Sequence, residues 1–261
     1  MLPDLTETEA HQHEADIELL ERSWAQCDDC PGLDGCKAKG VRVVAARMDG
    51  LVQFRATYCP QRLMRGAAER YERLLVASRM TKRFRERTFG NFVARSGTEA
   101  ALDACHRFVE DYQIGGPPTR GVMLVGAPGT GKTHLMAACA NALLDRGVRV
   151  IFACVPDVLA DLRRAVGADA LEDVVAELRE CEVLCLDDLG AERVTDWARE
   201  QVYRLINYRY EAELPVLATS NLDADALAEQ LGDRIVSRLA EMCVWVRMEC
   251  DDYRLRKEVP A

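Results

Sequence analysis

Residues 126–133 carry the strongest chemical signal in the chain. Gly126, Ala127, Pro128, Gly129, Thr130, Gly131, Lys132 and Thr133 match the pattern G-x-x-x-x-G-K-[ST]. An apolar run at residues 122–125 precedes them and a helical pattern follows. Glycines let such a loop curl until its backbone N–H groups converge on phosphate oxygens, and the helix behind it adds the positive end of its dipole. In that cradle Lys132 spans the β- and γ-phosphates and the Thr133 hydroxyl ligates Mg2+. The expected cofactors are therefore ATP and magnesium.

Two further strand ends supply what hydrolysis needs. The apolar run 183–186 closes on Asp187 and Asp188, and carboxylates at the carboxyl edge of a parallel sheet face the ligand. Asp187 is expected to hold the Mg2+ and its hydration shell, and Asp188 to polarise the attacking water. The run 216–218 ends in Thr219, Ser220 and Asn221. Asn221 either orients the lytic water and senses the γ-phosphate, or caps a helix starting near Asp223, a position that asparagine favours. Arg234 and Arg238 stand four apart and share a helix face. Each is either an arginine offered across a subunit boundary to phosphoryl-transfer charge or an ordinary surface residue.

A second chemistry lies near the N-terminus. Cys27, Cys30 and Cys36, followed by Cys59, offer four thiolates, enough for one closed tetrahedral zinc site. Runs at residues 41–47 and 51–58, joined by Met48, Asp49 and Gly50, read as a hairpin that returns Cys59 towards the other three. This stretch has few large apolar residues, and metal binding supplies folding free energy to such segments. A redox C-x-x-C is the alternative, but the βαβ setting it needs is missing. His11 and His13 fall on a polar helix and are expected to be solvated. Of the eleven cysteines, Cys139, Cys154, Cys181, Cys185 and Cys243 sit in apolar runs, where a reduced thiol acts as a small hydrophobe. Cys105 and Cys250 stand apart from any metal-like spacing. This usage fits a reducing compartment.

The elements that must position these groups follow from periodicity. Residues 7–25 read as a polar helix with Ile17, Leu20 and Trp24 at helical spacing, and residues 61–78 are again helical. From residue 97 onward, apolar runs at 122–125, 150–153, 183–186, 216–218 and 244–246 alternate with helical stretches. Short continuous apolar strands separated by helices predict an α/β fold, a parallel sheet covered on both faces. The expected domains are 1–80 (helical and zinc-binding), a basic linker at 81–96 anchored by Phe84, Phe89 and Phe92, and 97–261 (nucleotide-binding). With 261 residues, 49% of them hydrophobic, the chain can build one large core and one small one.

No run of 18 apolar residues occurs, so no membrane span is expected, and residues 1–26 lack a secretory pattern. A cytoplasmic location follows. A net charge of −9 argues against indiscriminate nucleic-acid coating. Residues 79–87, however, hold five basic residues and one glutamate. That run either touches a polyanion locally or is a solvated linker face.

Together, GAPGTGKTHL, VLCLDDLGAE, REQVYRLINYRYEAELPVLATSN and LGDRIVSRL resemble the AAA+ ATPases of the DnaC/DnaI type, the bacterial replicative helicase loaders. RTFGNFVARSGTEAALDACHRFVEDY is similar to that family's lead-in, so the resemblance covers about residues 79–256. CDDCPGLDGCKAKG with the later YC resembles the zinc-bearing N-terminal domain of DnaI-type loaders. The resemblance implies a three-layer αβα AAA+ fold and nucleotide contacts at residues 126–134, His134 included. It also implies a sensor role for Asn221, a trans-acting finger at Arg234 and a second sensor at Arg254. As partners it implies a hexameric replicative DNA helicase gripped by the N-terminal domain, self-association of the ATPase domain, and single-stranded DNA. Two features depart from the pattern. Asp188 stands where many AAA+ proteins carry glutamate, which makes nearby Glu192 worth testing, and no room is left for a helical lid. The similar IstB-type transposition helpers and a slowly hydrolysing ATP-gated adaptor are the alternative functions.

Overall fold

The computed structural model describes residues 5–28, 30–165, 171–191 and 195–253. Two compact units divide the chain, Met1–Arg70 and Tyr71–Ala261.

In the first unit the polar helix is broken in two, α1 (Glu7–Gln12) and α2 (Glu14–Asp28). Thr6 and Glu9 close a capping box at the start of α1, and His13 ends it in a non-helical conformation. A single turn, α3 (Gly32–Gly35), precedes the expected hairpin of β1 (Val41–Met48) and β2 (Leu51–Tyr58). Asp49 and Gly50 both have positive φ, 50° and 80°, the two-residue turn whose twist matches a hairpin. On α2, Trp24 Nε1 donates to the Val43 carbonyl at 2.8 Å, and the Ser23 hydroxyl accepts from Val43 N–H. Those bonds occupy the outer edge of β1. The helix α4 (Pro60–Ala77) follows, and the division between the units falls within it, after Arg70.

The second unit holds α5 (Lys82–Arg85), a 3-10 turn at Phe89–Asn91, α6 (Glu99–Asp111), β3 (Gly121–Gly126), α7 (Lys132–Asp145), β4 (Val150–Cys154), α8 (Val155–Ala165) and α9 (Leu171–Glu180). It continues through β5 (Val183–Asp187), α10 (Asp196–Glu211), β6 (Val216–Ser220), α11 (Ala224–Leu231), α12 (Asp233–Met242) and β7 (Cys243–Met248). All five strands run parallel in the order β4-β5-β6-β3-β7. The apolar runs of β3, β4, β5 and β6 therefore become strands buried on both sides, whereas β7 lies at one edge of the sheet with Val244 exposed.

Strand parity sorts the core into two layers. Met123, Ile151, Leu184 and Val216 pack with α8, α10, α11 and α12 on one face. Val122, Phe152, Cys185 and Leu217 pack with α6 and α7 on the other. Residues 81–96, expected as a linker, lie on this second layer. Phe84 packs on Phe152 with ring centroids 4.9 Å apart, and Asn141 of α7 donates to the carbonyls of Phe84 and Arg87.

Candidate functional site

Period-two alternation determines which side chains meet α7. Asp187 continues the series Val183, Cys185 on the α7 face of β5, and Thr219 follows Leu217 on the same face of β6. β5, β6 and β3 are neighbours, so the phosphate loop, the acid pair and the polar triplet stand on one sheet edge.

The loop has the backbone its sequence demands. Gly126, Gly129 and Gly131 have φ of 150°, 79° and 93°, the last two in the left-handed region that favours glycine. At Gly131 a Cβ would lie 2.9 Å from the Phe92 ring, so a side chain there would have to displace the lead-in. Gly131 caps α7 without a side-chain bond, which leaves the helix's first N–H groups facing the loop as an anion site. Lys132 Nζ donates to the carbonyls of Gly126 and Ala127 at 2.7 and 2.8 Å. Its ammonium is therefore held in the mouth of the loop, where a phosphate oxygen can replace a carbonyl.

Asp187 is 5% exposed, and one of its oxygens, Oδ1, accepts from two hydroxyls, Thr133 at 2.9 Å and Thr219 at 2.7 Å. Burial and the neighbouring Asp188 charge raise its pKa above the usual carboxylate range, against the lowering effect of those hydroxyls and Lys132. The set of one hydroxyl and one buried carboxylate beside an anion-binding helix end is a donor set for Mg2+. Thr133 can donate its proton to Asp187 and still present a lone pair to a metal. Donor chemistry and loop conformation thus both fit magnesium with a nucleotide polyphosphate.

Asp188 is half-buried and takes φ of 56°, a left-handed conformation that costs a non-glycine residue about 1–2 kcal/mol. Three bonds hold it there. Its N–H donates to Thr219 Oγ1 at 3.0 Å, Leu189 N–H donates to the Thr219 carbonyl at 2.8 Å, and Ala191 N–H donates to the Asp188 carbonyl at 3.0 Å. At about 0.5–1.5 kcal/mol each, these bonds offset the strain. Thr219 is the residue that sequence reading passed over in favour of Asn221. The signal lay in strand parity, which sends residue 219 and not 220 towards α7.

Asn221 is exposed just beyond β6. It does not cap α11, because Asp223 does, its carboxylate accepting from Ala226 N–H at 3.0 Å. Cys154 pairs with Asp187 in register, and burial and the charges of Asp157, Asp187 and Asp188 push its thiol up to about 11. His134 lies beside the lead-in. Its Nε2 bonds the Thr88 carbonyl and Asn91 Oδ1, its ring meets Phe92 edge-on, and burial lowers its pKa.

The segment following β7 runs along the loop. Tyr253 N–H donates to the Gly129 carbonyl at 3.0 Å, Tyr253 hydroxyl donates to the Val93 carbonyl, and Arg95 stacks 3.7 Å over the Tyr253 ring. Arg254 and Glu192 lie outside the described residues.

Arg234 is exposed on α12, in a groove of about 400 Å3 shared with Arg199, Tyr203 and Asp196, and has no side-chain partner among the described residues. Arg238 is engaged internally, donating to the Arg234 carbonyl and stacking on Tyr203 and Tyr210. Only the first of the two is placed to reach outward.

In the first unit Cys27, Cys30, Cys36 and Cys59 line one cavity of about 230 Å3. Cys36 Sγ accepts from Gly40 N–H at 3.3 Å and Cys59 Sγ from Arg62 N–H at 3.5 Å. The four residues are of the type that binds zinc, but the expected closed site is not formed in this arrangement. Among the described residues no three histidine, cysteine or acidic side chains come together closely enough to hold a metal.

A family model described as "IstB-like ATP binding protein" matches residues 100–261. The chain belongs to this family of P-loop ATPases, whose site uses ATP and Mg2+. Among curated relatives, the phage-like element PBSX protein XkdC of Bacillus subtilis (strain 168) is 34% identical over 80% of this chain and 78% of its own length. YqaM of the same organism is 34% identical over 66% of this chain, which spans 57% of YqaM's length. The crystal structure of the DnaC helicase loader matches with a TM-score of 0.60 at 28% identity, over 65% of this chain and all of that one. The ATPase fold expected from the DnaC/DnaI resemblance is thereby shown. No helix among the described residues is long and apolar enough to cross a membrane.

Proposed function

We propose that this chain is an ATP-dependent loader that grips a hexameric replicative DNA helicase and helps place it on single-stranded DNA. One observation carries the ATP-dependent part of this reading: the shared edge of β3, β5 and β6 brings Lys132, Thr133, Asp187 and Asp188 around one anion-binding helix end. Similarity to a helicase loader, and the cysteine-bearing unit in front of the ATPase domain, support the rest.

In this mechanism the loop N–H groups and Lys132 bind the polyphosphate, and Thr133 and Asp187 hold Mg2+. Bound there, the metal neutralises charge on the β- and γ-phosphate oxygens. Asp188, fixed by its left-handed turn, accepts a hydrogen bond from the attacking water. Asn221 orients that water from the adjacent strand end, and Arg254 acts as a second sensor. Arg234 reaches the nucleotide of a neighbouring subunit, so the ATPase domain must self-associate to turn over. In the first unit the four cysteines would hold one zinc ion once drawn together around the cavity they line.

The test is co-purification with the hexameric replicative helicase of the same cell, with and without ATP, alongside turnover by wild type, Lys132→Ala and Asp188→Ala. A stable complex is expected, with turnover at least tenfold above Lys132→Ala. Absence of any complex sinks the loader reading, and wild-type turnover equal to that of Lys132→Ala removes the enzyme. The IstB-like match favours one second reading, a transposition helper. Preferential binding to duplex DNA with filament formation would select it.

A further inference from the structure

We propose that Thr219 is a positioning residue for magnesium capture: its single buried hydroxyl orients the Asp187 carboxylate and locks the turn that carries Asp188. The inference rests on the ATP reading and deepens it. Thr219 is fully buried at the carboxyl end of β6, and its Oγ1 makes two bonds at once. It donates to Asp187 Oδ1 at 2.7 Å and accepts from Asp188 N–H at 3.0 Å.

The hydroxyl has one proton, and Asp187 holds it. Thr219 therefore has no proton for the nucleotide and acts through the two acids. Thr133 donates to the same Oδ1 from α7. The carboxylate is thus clamped between one hydroxyl on the loop's helix and another on the neighbouring strand, which determines its orientation before a metal arrives. Prior orientation matters because Mg2+ demands near-ideal octahedral geometry and tolerates misplaced ligands poorly. The same hydroxyl, with the Thr219 carbonyl accepting from Leu189 N–H, holds Asp188 at φ of 56°. Loss of the hydroxyl disturbs both acids through one atom.

The decisive comparison is Thr219→Val, which keeps the β-branched shape and removes the hydroxyl, against Thr219→Ser, which keeps the hydroxyl. Thr219→Ala is carried alongside in case the valine methyl is not accommodated. Binding of a fluorescent ATP analogue is titrated against Mg2+, so the readout does not depend on turnover. Without Mg2+, all variants are expected to bind within about twofold of wild type. With Mg2+, the half-saturating metal concentration is expected to rise about tenfold in Thr219→Val and Thr219→Ala, the effect of losing one hydrogen bond to a carboxylate. Thr219→Ser is expected to stay within about threefold of wild type.

Variants without the hydroxyl that match wild type in Mg2+ dependence overturn the assignment while the ATP reading stands. So does a Thr219→Ser variant as impaired as Thr219→Val. A wild type that binds no nucleotide overturns the ATP reading, and this assignment with it.

Discussion

Asp187 is a residue that burial makes costly for stability and that the proposed ATP chemistry needs. Burial and the adjacent Asp188 charge raise its pKa, so the folded chain holds the proton more tightly than the unfolded chain does. A raised carboxyl pKa means that ionisation opposes folding. The penalty is absent below the ordinary carboxylate range, near pH 4, and grows as pH rises through the folded-state value. Asp187→Asn should therefore raise the Tm of the nucleotide-free protein at neutral pH. The gain should disappear at about pH 3, below the ordinary carboxylate pKa, and Mg2+-dependent nucleotide binding should be lost at every pH. Calorimetry at the two pH values checks the sign, and a variant less stable than wild type at pH 7 would show that the two hydroxyls outweigh burial.

The elements end in a recurring way, on arginines that bond exposed helix carbonyls. Arg120 donates to the carbonyls of Ala240, Glu241 and Cys243 at the end of α12, and Arg199 donates to the Gln230 carbonyl at the end of α11. Arg85 donates to the Met80 and Leu75 carbonyls at the end of α4. Together with the ion pair of Arg79 and Glu177, this absorbs part of the basic run into the fold and leaves Lys82 and Arg83 exposed. Arg209 is the buried extreme at 0% exposure, donating to the carbonyls of Leu178, Arg179, Cys181, Glu182 and Pro215. Those bonds fasten the end of α9 to the starts of β5 and β6, upstream of both acids and Thr219. Arg209→Leu should cost about 3 kcal/mol, because it strands several buried carbonyls at once. Urea denaturation measures this, and a loss below about 1 kcal/mol would mean that water or neighbouring donors replace the guanidinium.

At the scale of the molecule the two units are built differently. The second has a two-layered apolar core, whereas in the first only Leu20 and Val52 are buried among the described large apolar side chains. So small a core needs a staple. On the zinc proposal, metal analysis should find about one zinc per chain, since four thiolates complete one closed site. Chelation should melt the first unit while nucleotide binding persists. A chain purified without chelator that carries no metal ends that proposal.

The sequence by itself determined the strands, the phosphate loop, the acid pair and the hairpin, because continuous apolar runs, glycine spacing and a two-residue Asp-Gly turn are local consequences of residue type. It could not assign the partners of those residues. That Thr219 and not Asn221 touches Asp187, that Arg238 is engaged internally while Arg234 faces outward, and that Arg209 bonds five carbonyls from the core depend on which strands become neighbours. That order is decided only when the apolar faces of separate elements are buried against one another.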